Sequence, residues 1–395
     1  MTRTRIPVVI AAADIESGVT SWALRFRDYC ANDPELEVTA LNCWRTGKGV
    51  GRFDAEITTE RAMRRYLRQR PDAVVVPNFV WELFPLCAEL AGQGLPLRTI
   101  GYARSDSSAE YYDPLAWIEP LAGAFLASSE ECAEHLRQRL PHRAAEIHAA
   151  PSGVIVPERL ARRWQTAPLR LVYAGRLVQE QKRVIDFIPL VAGLLERGVK
   201  FELTLIGAGR ESAELQRGFD ALPHGGRVRI RPAVPWDAMP EIWSNCDVFV
   251  LLSDYEGTSS SMLEAMAQGC VPVVTESSSG VRGVVQHGHS GFILPVGAME
   301  LMADQIASLA ALPAQVEAVG RAAHGAVAPF AMPRYRETFL RAVAQARSHP
   351  PCAWPNGDRR AGLWRKGGGL GTPLEGRHRF LSPGWLAGAR QRLGL

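Results

Sequence analysis

The sequence predicts an α/β protein made of two doubly wound, parallel-sheet halves. Three observations carry this prediction. The chain has 395 residues, more than one hydrophobic core of usual size serves, so two domains are expected. Short β-rich apolar runs alternate with helical stretches, the pattern of parallel strands joined by crossover helices. A stretch punctuated by Pro and Gly at 151–168 lacks clear periodicity and interrupts the alternation once, after which it restarts.

Strands of the first half are expected at 6–12, 36–42, 72–77, 97–101, 123–127 and 146–149. The basic start Met1-Thr-Arg-Thr-Arg followed by an apolar run has the look of a secretory signal. That run is only eight residues long and ends at Asp14 and Glu16, so it reads as a buried first strand. Val74, Val75 and Val76 form a continuous apolar run, as expected of a strand covered on both faces. Helical patterns fill the gaps at 20–31, 57–70, 80–93 and 129–140. In the second half, strands are expected at 169–174, 201–206, 227–231, 247–252, 271–274 and 291–294. Helices are expected at 183–197, 210–221, 237–244, 260–268, 298–311 and 314–323, with a last amphipathic helix at about 333–347.

From Ser348 the pattern dissolves. Fifteen of the last 49 residues are Gly or Pro, with Trp354, Trp364 and Trp385 among them, so this segment is expected to be unstructured. The expected division is therefore 1–165 and 166–330 for the two halves, 331–347 for a closing helix, and 348–395 for a tail.

Composition narrows the function. Hydrophobic residues at 47% and charged residues at 22% fit a globular protein and exclude a disordered chain, a collagen-like fibre or a membrane bundle. No run approaches the roughly 20 apolar residues of a membrane span. The net charge of +4 is uneven: residues 347–395 hold nine basic and two acidic residues, and the remainder holds 36 basic and 39 acidic. The basic character belongs to the tail and does not indicate nucleic-acid binding. Arg outnumbers Lys by 41 to 4, which draws attention to each Lys. The seven Cys lack any C-x-x-C pair or zinc spacing, read as small core residues, and point to a reducing, cytoplasmic setting.

Several motifs fail on inspection. Gly207-Ala-Gly209 follows a strand, but Ser212 replaces the third glycine of a dinucleotide fingerprint, so it reads as a tight turn. Thr46 to Gly51 lacks the frame of a phosphate loop. His287 and His289 sit in a polar turn without metal spacing, and no G-x-S-x-G elbow is present.

The informative segment is 247–275. A buried strand ends in the polar loop Asp254-Tyr255-Glu256-Gly257-Thr258. A helix opens near Ser259, Ser260 and Ser261, carries Glu264, and stops at Gly269 before Pro272 begins the next strand. The helix N-terminus at the carboxyl end of a parallel strand is a ready anion site. A plain helix cap also explains a serine there. The pattern is longer than a cap requires: Glu256, seven residues, Glu264, then Ala265-Met-Ala-Gln-Gly-Cys-Val-Pro272.

This pattern resembles the donor-site signature of retaining glycosyltransferases with the GT-B fold, in particular glycosyltransferase family 4. Leu171-Val-Tyr-Ala-Gly175-Arg176-Leu177 followed by Lys182 is similar to the family's Gly-Arg-Leu and Lys, with a spacing about one residue longer through Gln179-Glu180-Gln181. The resemblance covers roughly residues 6–347, with strong motifs only in the second half.

It implies two Rossmann-like domains facing a cleft, an acceptor-side domain at 1–165, a donor domain at 166–330 and a crossover helix at 331–347. It implies transfer of a sugar from a nucleotide sugar to an acceptor hydroxyl with retained anomeric configuration, of hexosyl or N-acetylhexosaminyl type, in bacterial envelope or exopolysaccharide synthesis. By the same resemblance Arg176 and Lys182 stabilise the departing diphosphate and Glu256 holds the transferred sugar. Glu264 meets the ribose, and Gly257, Thr258, Ser259 and Ser260 meet phosphate or sugar. Backbone at Val234 lies beside the base, and Gly18 belongs to a glycine-bearing loop that meets the diphosphate. No metal or other cofactor is implied, because the cations take that part.

Two departures stand out. Thr258-Ser259 replaces the frequent Phe-Gly, and Arg104 occupies the place of a frequent His in Arg104-Ser105-Asp106. Arg104 and Asp106 are therefore candidate acceptor or sugar contacts. Arg cannot serve as a base at neutral pH. The acceptor itself is expected to be a glycan or a lipid-linked glycan. Arg61, Arg64, Arg65 and Arg68 fall on one face of an expected helix. They are either a solvated face or a dock for an anionic membrane surface, which would make the protein peripheral at the inner face. Two other readings stay open: a catalytically inactive nucleotide-sugar-binding scaffold, and a different GT-B enzyme such as a nucleotide-sugar epimerase.

Overall fold

The computed structural model describes residues 5–14, 17–43, 52–162, 164, 167–223, 227–277 and 280–355. The Thr46–Gly51 loop and the tail beyond 355 lie outside the described residues. In chain order the first sheet region comprises β1 (Ile6–Ala12), α1 (Gly18–Tyr29), β2 (Leu36–Asn42), β3 (Ala55–Glu56), α2 (Glu60–Arg68), β4 (Val74–Val76), α3 (Leu83–Gly92), β5 (Arg98–Ala103), α4 (Asp113–Trp117), β6 (Ala124–Ala127), α5 (Glu130–Arg139) and β7 (Ile147–Ala149). The second comprises β8 (Leu169–Ala174), α6 (Gln179–Lys182), α7 (Phe187–Glu196), β9 (Phe201–Ile206), α8 (Ser212–Asp220), β10 (Val228–Arg231), α9 (Met239–Ser244), β11 (Val248–Leu251), α10 (Ser260–Ala267), β12 (Val271–Thr275), β13 (Phe292–Leu294), α11 (Met299–Ala311), α12 (Pro313–Ala326) and α13 (Met332–Ser348).

Every strand pairing in both sheets is parallel. The seven-stranded sheet runs β3-β2-β1-β4-β5-β6-β7, and the six-stranded sheet runs β10-β9-β8-β11-β12-β13. In each, the order reverses beside a central strand, β1 in the first and β8 in the second, which makes the carboxyl ends there the natural ligand positions. The apolar runs that predicted strands are buried as read: Val74, Val75 and Val76 are fully inaccessible, as are Val248, Phe249 and Val250.

Two compact units result. One comprises Met1–Ile15, Ala23–Ala150 and Glu337–Leu395; the other comprises Glu16–Trp22 and Pro151–Arg336. The division after Ala150 differs from the expected 165/166, because the segment after 150 packs with the second unit. Val154 bridges Ala331, and the Arg162 guanidinium donates to Asp247 at 3.2 Å. The closing helix α13 changes unit within its own length, at Glu337.

Three further differences concern segments without clear periodicity. A single π-helical turn at Ser108–Tyr112 leads into α4 where no helix was expected. The helix expected from 183 is preceded by the separate short α6, ended by Arg183 in the left-handed conformation. Past Ser348 the chain does not dissolve at once. Arg98 Nε donates to the His349 carbonyl at 2.7 Å, Cys352 N donates to Leu97 O at 3.2 Å, and Cys352 is buried in the first core with Trp354 against it. Such contacts are made with strand β5 some 250 residues away, and no local pattern announces them.

Among the described residues, no helix is long and apolar enough to cross a membrane. The basic face on α2 is partly spent. Arg64 is paired with Glu60 and Glu89, while Arg61, Arg65 and Arg68 are exposed.

Candidate functional site

In the second unit the site grows from two loops at the carboxyl ends of neighbouring strands. β8 ends at Ala174, and the chain turns through Gly175, Arg176 and Leu177 into α6. β11 ends at Leu251, and Ser253 to Thr258 lead to α10. The Gly207-Ala-Gly209 turn after β9 supports the first loop. A Cβ at Gly207 would lie 1.9 Å from the Gly175 carbonyl oxygen, and one at Gly209 would lie 1.8 Å from the Leu177 carbonyl oxygen. These glycines are therefore required by backbone approach, which explains a G-x-G that is not a dinucleotide fingerprint. Leu177 N donates to Ala208 O at 2.9 Å and Gly175 N donates to Ile206 O at 3.0 Å, completing the support.

The two loops are tied together by Gln181. Its backbone carbonyl accepts from Asp254 N at 2.9 Å, and its amide Nε2 donates to the Tyr255 carbonyl at 3.2 Å. Its Oε1 accepts from Arg176 Nη2. Arg183 adds an ion pair to Asp254 at 3.1 Å. The additional residue between Arg176 and Lys182 thus supplies a buried bridge.

Lys182 Nζ donates to Glu256 Oε1, which also accepts from Ser253 Oγ at 2.7 Å. Their side chains are 14% and 9% exposed, so the pair is largely removed from water. Arg176 is itself exposed, with its carbonyl fixed by the Tyr173 hydroxyl at 2.8 Å. Burial pushes the Tyr173 phenol well above its ordinary value, and the nearby Glu256 charge pushes it further, while Arg176 opposes both.

Past Glu256, Ser259 is the N-cap of α10 and accepts from Met262 N at 3.3 Å, so its hydroxyl serves the helix. Ser260 opens the helix, and a Cβ at Gly18 would lie 4.0 Å from Ser260 Oγ. Thr258 Oγ1 is buried without a hydrogen-bond partner. Gly280 (φ +71°) closes over this turn, where a Cβ would lie 2.3 Å from the Gly257 carbonyl oxygen. Glu264 lies further along α10 and accepts from Trp243 Nε1 at 3.4 Å.

The structure therefore brings Arg176, Lys182, Glu256, Gly257 and Thr258 together with the start of α10. Val234 lies elsewhere. It lines an open groove of about 450 Å³ along α9, with Arg231, Ala238, Ile242 and Asn245, which includes none of the charged site residues. Gln181, Ser253 and Gly280 were not singled out from sequence. The lengthened Arg-to-Lys spacing is the signal that could have found Gln181. Among the described residues, no group of three or more His, Cys, Asp and Glu is placed to hold a metal.

In the first unit, Arg104 follows β5 and Asp106 lies two residues on. They do not act together. The Asp106 carboxylate accepts from the Tyr112 hydroxyl at 2.7 Å and pairs with His135 Nδ1 at 2.9 Å, anchoring the loop to α5. Arg104 instead turns to Asn78 and the ring of Tyr102.

Comparison with known proteins gives this arrangement a context. Residues 158–325 match the family model of glycosyl transferases group 1. The amylovoran biosynthesis glycosyltransferase AmsK of Erwinia amylovora is 30% identical over 169 residues, 40% of this chain and 41% of that protein. The GDP-mannose:cellobiosyl-diphosphopolyprenol alpha-mannosyltransferase of Xanthomonas oryzae pv. oryzae is 25% identical over 285 residues, 57% of this chain and 74% of that protein. The first curated relatives are spanned over between a quarter and about two fifths of their length. HepE of Anabaena, solved in complex with UDP-glucose, superposes with a TM-score of 0.69 at 15% identity, covering 86% of this chain and all of that one. The second unit thus carries the glycosyl transferases group 1 module, in a chain with the GT-B fold.

Proposed function

We propose that the protein is a glycosyltransferase that moves a sugar from a nucleotide-sugar donor to an acceptor hydroxyl with retention of anomeric configuration, in bacterial envelope or exopolysaccharide synthesis. The carrying observation is the Lys182–Glu256 pair beside Arg176, at the carboxyl ends of β8 and β11 and ahead of the α10 N-terminus. A departing nucleoside diphosphate gains negative charge. Fixed cations and helix-end N–H groups stabilise that charge without reorganising at the moment of reaction.

In this reading Lys182 exchanges its contact with Glu256 for the donor phosphate, and Arg176 adds a second cation. The freed Glu256 carboxylate accepts hydroxyls of the transferred hexosyl or N-acetylhexosaminyl group. The buried Thr258 hydroxyl and the N–H groups at Gly257 and Ser260 supply polar contacts, Gly18 meets the diphosphate, Glu264 meets the ribose, and Val234 lies by the base. Relatives named for amylovoran synthesis and for mannosyl transfer to a diphosphopolyprenol-linked sugar support a glycan or lipid-linked acceptor. The exposed Arg61, Arg65 and Arg68 suit a peripheral contact with an anionic membrane.

The test is nucleotide release and glycan product from a panel of UDP-, GDP- and ADP-sugars, with Glu256→Ala and Lys182→Ala. The reading requires turnover with one donor and its loss in both variants. Turnover untouched by both would refute the site.

A further inference from the structure

We propose that Arg104 is a specificity-determining residue that binds a two-oxygen anion, carboxylate or phosphate, carried by the acceptor beside its reacting hydroxyl. This rests on the transferase reading above and names the acceptor class.

The argument begins with the strands. β4 and β5 are neighbours, and their carboxyl ends lead to Asn78 and Arg104. That edge of a parallel sheet is where ligands sit. Arg104 Nε and Nη2 donate to Asn78 Oδ1 at 3.1 and 2.9 Å. The guanidinium carbon lies 3.4 Å from the centroid of the Tyr102 ring, whose hydroxyl is anchored on the Ala150 carbonyl. An amide oxygen and an aromatic face hold a guanidinium in place without adding a negative charge. Asn78 takes the Nε and Nη2 hydrogens and leaves the Nη1 edge of the fork to other groups.

Asn78 is itself built for this purpose. It is 1% exposed, adopts the left-handed conformation at φ +52°, and donates Nδ2–H to the Ala11 carbonyl at 2.6 Å. A buried non-glycine residue at positive φ is held there by its surroundings and marks a site rather than a turn of convenience. A second observation stands beside it: Ser105 Oγ is buried and has no hydrogen-bond partner. A fixed planar cation next to an unsatisfied hydroxyl is a donor set for a carboxylate or phosphate. A histidine in this place would offer a proton-transfer group; arginine offers charge and a fork.

The experiment uses the full chain saturated with UDP, so that the donor's phosphate contacts are already filled. Saturation-transfer NMR is recorded with methyl glucuronide and with methyl glucoside, which differ in the carboxylate. Inorganic pyrophosphate serves as a competing probe, and Arg104→Gln and Arg104→Lys as variants. The expected result is transfer to the glucuronide or its displacement by pyrophosphate, with binding weakened roughly 10- to 100-fold in Arg104→Gln. Arg104→Lys keeps the charge and loses the fork, so it should fall between. Response to glucuronide alone assigns a sugar acid, and response to pyrophosphate alone assigns a phosphorylated acceptor.

Equal response to glucuronide and glucoside without pyrophosphate binding overturns the proposal. So does anion binding unchanged in both variants. The UDP-induced thermal shift is read in every sample. If UDP fails to bind the wild type, the transferase reading fails instead, and the two failures stay separate.

Discussion

If Lys182 and Glu256 form one unit, removing either alone should cost more than removing both. Lys182→Met leaves a carboxylate that is 7% exposed beside an apolar side chain. Breaking a buried pair by deleting one partner costs about 3–5 kcal/mol, and the residual exposure of both groups places this case near 3 kcal/mol. Glu256→Gln keeps the shape and strands the ammonium, with a cost of about 2 kcal/mol on the same grounds. The double variant buries two neutral groups, so its loss should fall short of the sum by about 2 kcal/mol. Urea unfolding of the four proteins gives the cycle directly. Nucleotide release from the active donor gives the functional arm, where loss of Lys182 should slow turnover by roughly 10²- to 10³-fold. Additivity within about 0.5 kcal/mol, a margin typical of independent sites, would refute the coupling. Full turnover in Lys182→Met would refute the leaving-group role.

Three further outcomes follow from the same geometry. Asp247 is inaccessible and accepts from Arg170 N, Nε and Nη2 at 3.0, 2.9 and 2.7 Å and from the inaccessible Arg162 at 3.2 Å. Asp247→Ala should therefore destabilise by about 3–5 kcal/mol in denaturant unfolding, and a loss near zero would show that the cluster is not structural. Gly280→Ala at φ +71° places a Cβ against the Gly257 carbonyl, so turnover should fall at least tenfold with a melting loss of only about 1–2 kcal/mol; unchanged kinetics would dissociate Gly280 from the site. His148 is held below its ordinary value of 6.5 by burial first and by Arg341 and Arg137 next, against Glu146. Its stabilising contribution is complete above pH 6.5 and is lost as pH falls through the lower folded value, because the unfolded chain binds the proton first. His148→Gln should flatten the stability profile below pH 6.5, and an unchanged slope would remove His148 from that role.

The elements were legible wherever local periodicity decides them. Leu169–Ala174, Phe201–Ile206 and Ile6–Ala12 form strands with the expected bounds, and Gly269, expected to stop α10, sits at φ +77°. The candidate donor site was legible because its cations and carboxylates lie in compact motifs at strand ends. Gln181, Ser253 and Asn78 were not, since each acts through groups brought near by folding: Gln181 binds a carbonyl 74 residues away, and Asn78 binds one 67 residues away. The reading of Asp106 as a ligand contact paired with Arg104 met the same limit, because His135 on another helix claims its carboxylate.

The chain alone determined two parallel α/β halves and a loop set rich in anion-binding groups, because apolar alternation and glycine-bearing strand ends are local properties of the polymer. Which cation meets which carboxylate was decided only by tertiary structure. Lys182 is joined to Glu256, Arg104 is held by Asn78 and Tyr102, and Arg162 and Arg170 are spent on Asp247. Charge pairing acts over a few ångströms in space and is indifferent to separation along the chain, so 41 arginines that look alike in sequence become distinct only when the strands are laid side by side.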